Sequence, residues 1–248
     1  MNSDGKKNRH QQRSYRTLLR DQDLVSFQVA VKETDLYIKA RKDLQEKARE
    51  SVIRYRYQME QYIARHSEFL SSLTPLPLDP FASPIIREMM QAARQAGVGP
   101  MAAVAGAMAE FVGRDLLTES EEVVVENGGD IFLQSSREMR VAIFAGESPL
   151  NFRVGLRVPA ANRGLGVCTS SATVGPSLSF GETDAVTVLS PSAAVADAAA
   201  TAIGNTVLSP ADLPQGLERA QMISGVTGVV IIIGKKLGAW GEVELLKI

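Results

Sequence analysis

Residues 123–133 read VVVENGGDIFL, and this stretch decides how the rest of the chain is interpreted. An apolar run ends in Asn127, Gly128, Gly129 and Asp130, and strand-like residues resume at Ile131. Two glycines let the backbone adopt positive φ and approach a ligand closely. The acidic residue after them can accept hydrogen bonds from a ribose or hold a cation. Asn-Gly is also a standard hairpin turn, and composition alone favours that simpler interpretation.

A second segment of small residues follows at 164–171, which reads GLGVCTSS. It predicts a hydroxyl-rich loop, ending in Cys168, Thr169, Ser170 and Ser171, whose backbone N–H groups can cradle a phosphate. No Gly-Lys-Ser/Thr follows, so the segment is not a P-loop. Cys168 is the only cysteine and has no histidine near it in sequence. A Cys–His nucleophile, a disulfide and a zinc site are therefore not expected.

A third segment places a carboxylate and a hydroxyl on one helix face. Ser192 is a helix cap, and the alanine-rich residues 193–202 predict a helix that carries Asp197 and Thr201 at i and i+4. This pair of oxygen ligands suits a hard cation such as Mg²⁺, which retains several waters. The alternative is an aspartate favoured by the helix dipole, with Thr201 bonded back to a backbone carbonyl.

Strands and helices alternate along most of the chain, which predicts a mixed α/β fold of layered sheets and packed helices. The apolar patterns predict strands near 24–31, 34–40, 123–125, 131–133, 141–144, 152–157 and 185–189, and a terminal hairpin of 228–233 with 242–246. They predict further helices near 84–96, 100–117 and 211–223. Residues 15–20 are a candidate for a third strand at the N-terminal end.

A long amphipathic helix is predicted from about Asp43 to about Leu70, with Asp43 as its N-cap and Glu46 in a capping box. Such a helix usually braces a sheet or a subunit interface, so a homo-oligomer through residues 43–70 is expected. The apolar stripe has the spacing of a single helix face, and its members are Leu44, Ala48, Val52, Tyr55, Met59, Tyr62, His66 and Phe69.

Composition limits the class of protein. The 248 residues suffice for one large domain, and we expect a disordered tail at 1–13 and a single domain at 14–248, with 14–75 as a subregion. The net charge of -1 gives no bulk attraction to nucleic acid or to a membrane surface. The longest apolar run is too short to span a bilayer. A cytoplasmic protein with a small-molecule or nucleotide ligand is expected.

Three segments in order resemble the ApbE-type FAD:protein FMN transferases. Residues 124–131 resemble that family's NxGGDI signature, and residues 166–171 resemble its ATSG loop. Residues 185–188, followed by 193–201, resemble its strand and ADALAT helix. The similarity covers roughly residues 80 to 235, and it implies an ApbE-like fold.

The resemblance also implies roles for particular residues. Asp197 and Thr201 would help to bind Mg²⁺ beside the FAD pyrophosphate, and Asn127, Gly129 and Asp130 would lie at the flavin. Two departures matter. The family's His-Ile-x-Asp-Pro segment is missing between 174 and 184, and its Ala-Lys-Gly is replaced by residues 104–106, Val-Ala-Gly.

The pattern is also similar to an uncharacterised ApbE-like family of anaerobic microbes. The shared pieces are residues 33–36, 100–107, 126–131 and 179–181. That family's association with sulfide assimilation into homocysteine implies a place in sulfur metabolism. The leading hypothesis is a pocket for FAD or another nucleotide, with Mg²⁺. The alternatives are a working FMN transferase and a non-catalytic partner subunit.

Overall fold

The computed structural model describes residues 23–172 and 181–248, so the predicted tail, the strand predicted at 15–20 and all of residues 173–180 lie outside it. Eleven strands are formed within the described chain. In chain order they are β1 Val25–Val31, β2 Thr34–Ala40, β3 Val123–Asn127, β4 Asp130–Ser135, β5 Met139–Ala142, β6 Val154–Val158, β7 Ala161–Ser170, β8 Ala185–Ser190, β9 Gly228–Ile233, β10 Lys236–Gly241 and β11 Glu244–Lys247.

The strands form two sheets. The larger has eight strands in the order β1-β2-β3-β4-β7-β8-β9-β10, and the smaller has three in the order β11-β6-β5. All neighbouring strands are antiparallel. Alternate residues of the large sheet face two separate cores, one shared with the helices and one shared with the small sheet. The fold therefore has three layers, and the expected layered, mixed α/β architecture is confirmed.

The helices lie on one face of the large sheet. They are α1 Gln45–Arg65, α2 Glu68–Ser71, α3 Pro84–Ala96, α4 Val104–Leu116, α5 Ala193–Gly204 and α6 Leu213–Met222, and a 3₁₀ turn at Pro100–Ala103 leads into α4. Ser192 caps α5 as predicted, since its hydroxyl accepts from the Val195 N–H. Gly97 ends α3 in the left-handed region with φ of 75°.

The long helix is shorter than predicted. α1 has 21 residues, roughly 32 Å at 1.5 Å per residue, and ends at Arg65 before the separate turn of α2. Its N-cap is Leu44 rather than Asp43, and no capping box forms; the Asp43 carboxylate accepts from the Gln45 N–H at 2.9 Å. The apolar stripe itself is confirmed, because its aliphatic members and Phe69 are buried in the helical core.

The predicted terminal hairpin is wrong. β9 turns at Gly234 and pairs with β10, in register Lys236↔Ile233, rather than with the last strand. The last strand, β11, instead pairs with β6 in the small sheet, in register Glu244↔Arg157. The weakly patterned residues of β10, which are only partly buried, hid this strand from the sequence.

Within residues 23–172 and 181–248, no single helix is long and apolar enough to cross a membrane. Residues Pro84–Ala96 and Pro100–Leu116 meet that length and composition only when taken together, and they are bent by 106° at the break between them.

Helix α5 packs closely against both the sheet and α4. A Cβ on Gly166 of β7 would lie 2.4 Å from the Ala193 Cα, and one on Gly106 of α4 would lie 2.1 Å from the Ala193 carbonyl oxygen. Both distances are well below van der Waals contact, so each position requires glycine, which has no Cβ. The small residues of α5 make this approach possible, and its alanines are almost completely buried.

Replacing Gly106 by alanine tests this packing. Helix propensity alone would favour alanine by about 1 kcal/mol. We expect Gly106→Ala to lower the free energy of unfolding instead, by about 1 to 3 kcal/mol, because the new methyl group meets backbone atoms of Ala193. Urea denaturation measures the change.

Gly204→Ala is the matched control. A Cβ at Gly204 would meet its nearest neighbour at 3.6 Å, an ordinary contact, so this change should be neutral or stabilising. Equal effects of the two substitutions would contradict the account of the α4–α5 contact.

Candidate functional site

The glycine segment is a tight turn between β3 and β4, with Asn127 paired to Asp130. Gly128 and Gly129 have φ of 67° and 113°, which are conformations that favour glycine. The Glu126 carboxylate accepts from the Gly129 N–H at 3.0 Å and holds the turn. The hairpin interpretation is therefore confirmed, and it does not exclude a ligand site at the same residues.

The same turn is tied to the start of α4. The Asn127 side-chain amide donates to the Ala105 carbonyl at 3.1 Å. Asn127 is half-buried, so this hydrogen bond links the tip of the hairpin to the helical layer. No contact of this kind can be read from the sequence, because the two residues are 22 positions apart.

Residues 164–170 are not a loop but the second half of strand β7. Strand alternation therefore separates their side chains. Cys168 faces the helices, whereas Thr169 lies on the opposite face, where its hydroxyl is 2.9 Å from that of Thr187. Ser170 and Ser171 are half-buried at the end of the strand. The prediction that residues 164–170 form a loop is therefore wrong, because their N–H groups belong to a strand.

Asp130 is the centre of the site. The side chain is 8% exposed, and one carboxylate oxygen, Oδ1, has no hydrogen-bond partner among the described residues. Burial raises the pKa of Asp130 well above its ordinary value, and the negative charge of Asp197 raises it further. The neighbouring Cys168 thiol and the Thr169 N–H act in the opposite direction.

Asp197 approaches from α5 and is held by the start of α4. Its Oδ2 accepts from the Gly106 N–H at 2.9 Å. Burial raises the pKa of Asp197 to about 7, even though the N–H groups of Gly106 and Ala105 favour the charged form. Thr201 lies one turn further along α5 and is half-buried; no hydrogen bond among the described residues joins its side chain to the cluster.

Cys168 lies between the two aspartates and the backbone of α5. Its thiol is completely buried and lies 3.3 Å from the Ala193 carbonyl oxygen, to which it donates. Burial raises the pKa of Cys168 well above its ordinary value, and the charges of Asp130 and Asp197 raise it further. The thiol therefore stays protonated at neutral pH, as expected for a small buried residue and not for a nucleophile.

Two functional neighbours were missed by the sequence reasoning. One is Glu126, which holds the glycine turn. The other is Glu110, fully buried on α4, whose carboxylate accepts from the Ala193 N–H at 2.8 Å and from the Ser192 hydroxyl at 3.0 Å. Glu110 also pairs with Arg114. The only available signal was an acidic residue inside the otherwise apolar stretch 104–113 of this helix.

Glu110 and Asp197 cap each other's helices. Glu110 of α4 holds the first N–H groups of α5, and Asp197 of α5 holds N–H groups at the start of α4. The first N–H groups of a helix have no partner within the helix, and a carboxylate there also meets the positive end of the dipole. This reciprocal capping fixes the position of Asp197 relative to Asp130.

The carboxylates fit a cation in part. No group of three or more His, Cys, Asp or Glu side chains is arranged to hold a metal ion within residues 23–172 and 181–248. Two carboxylates are present, however, and Mg²⁺ commonly binds through one or two of them together with substrate phosphates and water. Oδ1 of Asp130 has no hydrogen-bond partner among the described residues, and the pKa values of Asp130 and Asp197 are raised, so the pair fits a group that a nearby positive ion would stabilise.

The chain matches a family model described as "AbpE bacteria" over residues 16–239. A UPF0280 protein of Methanococcus aeolicus is 37% identical over 226 residues, which cover 89% of this chain and 91% of that protein. A UPF0280 protein of Methanocaldococcus jannaschii is 39% identical over 226 residues, 88% of this chain and 92% of that protein.

Two flavin transferases of known structure have a similar fold. The flavin transferase ApbE from Vibrio cholerae covers 88% of this chain and 96% of its own, with 14% identity and a TM-score of 0.57. The apo form of the Pseudomonas stutzeri flavinyl transferase ApbE covers 88% and 94%, with 18% identity and a TM-score of 0.51. At these identities the likeness shows the fold alone.

The raised pKa of Asp197 predicts a pH-dependent stability in the absence of divalent cations. The folded protein holds this proton more tightly than the unfolded chain, because the pKa rises from 3.8 to about 7. The resulting stabilisation is present below about pH 4 and is lost as the pH rises through 7. We expect Asp197→Asn, which keeps an acceptor for the Gly106 N–H, to be more stable than the wild type at pH 8 by on the order of 2 kcal/mol.

Urea denaturation of both proteins between pH 4 and pH 8 measures the difference. The two free energies of unfolding should converge at the acid end of the range. A constant difference across the range, or a less stable variant at pH 8, would contradict the proton-carrying state of Asp197.

Proposed function

The chain belongs to the family described as AbpE bacteria, and we propose that it binds a flavin-type nucleotide such as FAD together with a divalent cation such as Mg²⁺. The proposed site comprises the turn 127–130, the strand end 168–171, and Asp197 with Thr201 on α5. The observation that carries the proposal is the carboxylate pair Asp130 and Asp197, which approach each other from two separate elements. Asp130 is buried and Asp197 is half-buried, and neither has an ion-pair partner in the described chain.

Electrostatics support a cation at this pair. Ionising both of two carboxylates that lie close together and away from bulk water costs a large electrostatic free energy, so the pair holds a proton or a positive ion. Asp130 offers Oδ1, which has no hydrogen-bond partner among the residues that the structure describes, while one oxygen of Asp197 accepts from the Gly106 N–H. These residues, with the Thr201 hydroxyl, would hold the ion. Bound there, Mg²⁺ would neutralise the charge of nucleotide phosphates.

The turn supports access for a ligand. No atom of residues 23–172 and 181–248 lies within 4 Å of the position that a Cβ on Gly128 would occupy, so the tip of the hairpin faces open space in this part of the structure. Among the same residues, a Cβ on Gly129 would meet the Thr169 carbonyl oxygen at 3.7 Å. A nucleotide can therefore approach the backbone of the turn without displacing a side chain.

The residues present favour binding over flavin transfer. The chain has two histidines, and His66 lies at the end of α1, stacked on Tyr62 at 4.4 Å and 3.7 Å from Glu68. It has no contact with the aspartate pair. The lysine that the resemblance implies at the start of α4 is replaced by Ala105, whose carbonyl accepts a hydrogen bond from Asn127.

We propose in addition that the protein acts in sulfide assimilation into homocysteine. This part of the proposal rests on resemblance alone.

Titration of the purified full-length protein with FAD, FMN and ADP, each with Mg²⁺ and with EDTA, tests the proposal. We expect binding that needs the cation, since the carboxylate pair would otherwise repel the phosphates. Asp130→Asn and Asp197→Asn should each weaken cation-dependent binding at least tenfold, which is about 1.4 kcal/mol. Isothermal calorimetry gives the affinity and the proton release together.

Asp115→Asn is the matched control, because Asp115 pairs with Arg54 at the other end of α4 and should leave binding unchanged. A folded wild-type protein that binds none of the three nucleotides would overturn the proposal. Mass spectrometry of a target peptide incubated with FAD and Mg²⁺ decides between binding and transfer, and a flavinylated peptide would establish the transferase instead.

A further inference from the structure

Asn127 and Gly128, at the tip of the β3–β4 hairpin, form the chain's only Asn-Gly step. Asparagine is a thermolabile residue, because the backbone nitrogen of the next residue can attack its side-chain carbonyl carbon. Glycine hinders this attack least, since it has no Cβ and its backbone is the most adaptable. The turn therefore contains the two residue types between which this reaction is easiest.

The attacking nitrogen is that of Gly128, and the hairpin leaves its N–H uncommitted. In a two-residue hairpin the ladder bonds belong to the flanking pair, which here is Asn127 with Asp130. The Gly129 N–H donates to the Glu126 carboxylate at 3.0 Å. The Gly128 N–H has no hydrogen-bond partner within residues 23–172 and 181–248. It can therefore lose its proton to solvent without breaking a contact in the described chain.

The surroundings of the turn also permit the attack. Gly128 is exposed and has φ of 67°, in a region that glycine enters and leaves at little cost. Water reaches this position, because the tip of the hairpin faces open space in the described structure. The backbone can thus turn toward the Asn127 side chain, which is half-buried beside it.

Two other asparagines in the described chain differ in both respects. Asn151 precedes Phe152, whose N–H donates to a backbone carbonyl at 3.2 Å. Asn205 precedes Thr206, whose N–H donates to a backbone carbonyl at 3.0 Å. At each of these positions a side chain shields the nitrogen and a hydrogen bond holds it. They are matched controls for Asn127 within the same molecule.

We propose that Asn127 is a site of spontaneous deamidation in the folded protein. The Gly128 nitrogen loses its proton and forms a bond to the side-chain carbonyl carbon of Asn127, and the bond from that carbon to the amide nitrogen breaks. The amide group takes up a proton and leaves as ammonia, and a cyclic succinimide remains. Water then opens the ring at one of its two carbonyl carbons, which gives aspartate or isoaspartate. Water is the only other reactant.

The reaction removes the group that ties the hairpin to the helices. The Asn127 amide donates to the Ala105 carbonyl at 3.1 Å, and an ionised carboxylate has no proton to donate. Isoaspartate also adds a carbon atom to the backbone of a turn whose register depends on the pairing of Asn127 with Asp130. Deamidation therefore loosens the turn beside the aspartate pair. Its effect on ligand binding rests on the proposed function, whereas the chemistry itself does not.

Peptide mass spectrometry of the full-length wild type, incubated as the folded protein at pH 8, tests the proposal. No nucleotide or cation is added, so the result does not depend on the proposed function. We expect Asn127 to be converted to aspartate and isoaspartate several times faster than Asn151 or Asn205. Gly128→Ala should slow the conversion several-fold, because its Cβ shields the nitrogen. An intact Asn127 in the folded protein, or equal rates at the three asparagines, would overturn the proposal.

A sample unfolded in urea separates the effect of the fold from that of the local sequence. Unfolding frees the N–H groups of Phe152 and Thr206, so conversion at Asn151 and Asn205 should rise toward that at Asn127. Conversion of Asn127 in the unfolded sample alone would show that the folded turn blocks the reaction, which contradicts the proposal.

Asn127→Asp tests the structural consequence, since it carries the side chain of one product. We expect a lower thermal unfolding midpoint than that of the wild type, because the hydrogen bond to the Ala105 carbonyl is lost. An unchanged midpoint would contradict the role given to that hydrogen bond.

Discussion

The close approach of α5 to its neighbours is the contact on which the rest of the structure depends. Every polar group of the Ala193 backbone is used: its N–H donates to Glu110, and its carbonyl accepts from Cys168. Gly106 and Gly166 leave no room for a methyl group against it. Because α5 consists almost entirely of small residues, it can lie between α4 and the sheet at distances that larger side chains would forbid.

This approach also creates the candidate site. It brings Asp197 beside Asp130, and the reciprocal capping by Glu110 and Asp197 fixes the two helices in register. The burial that stabilises the packing makes two ionised aspartates costly. The molecule therefore has a pair of carboxylates, one buried and one half-buried, whose natural counterpart is a proton or a hard cation, and a glycine turn open to solvent at its edge.

Much of the fold could be predicted, because periodicity and caps are local signals. The stripe of α1, the Ser192 cap and the Asn127–Asp130 turn all follow from spacing. Long-range pairing could not be predicted: β10 has too little apolar pattern to reveal that it separates β9 from β11. The site was predicted in part, since the convergence of Asp130 with Asp197 depends on glycine contacts between distant segments. Glu110 was missed because, in a sequence, a buried acidic residue within an apolar stretch cannot be told from a surface charge.

The most direct test of the central claim is ¹³C NMR of the carboxyl carbons of Asp130 and Asp197 as the pH is varied, with and without Mg²⁺. The account predicts that the pair keeps a proton at neutral pH without the cation and loses it when Mg²⁺ is added. It also predicts that the two resonances titrate together, because each aspartate senses the charge of the other. Two independent titrations near the ordinary aspartate pKa, unaffected by Mg²⁺, would contradict it.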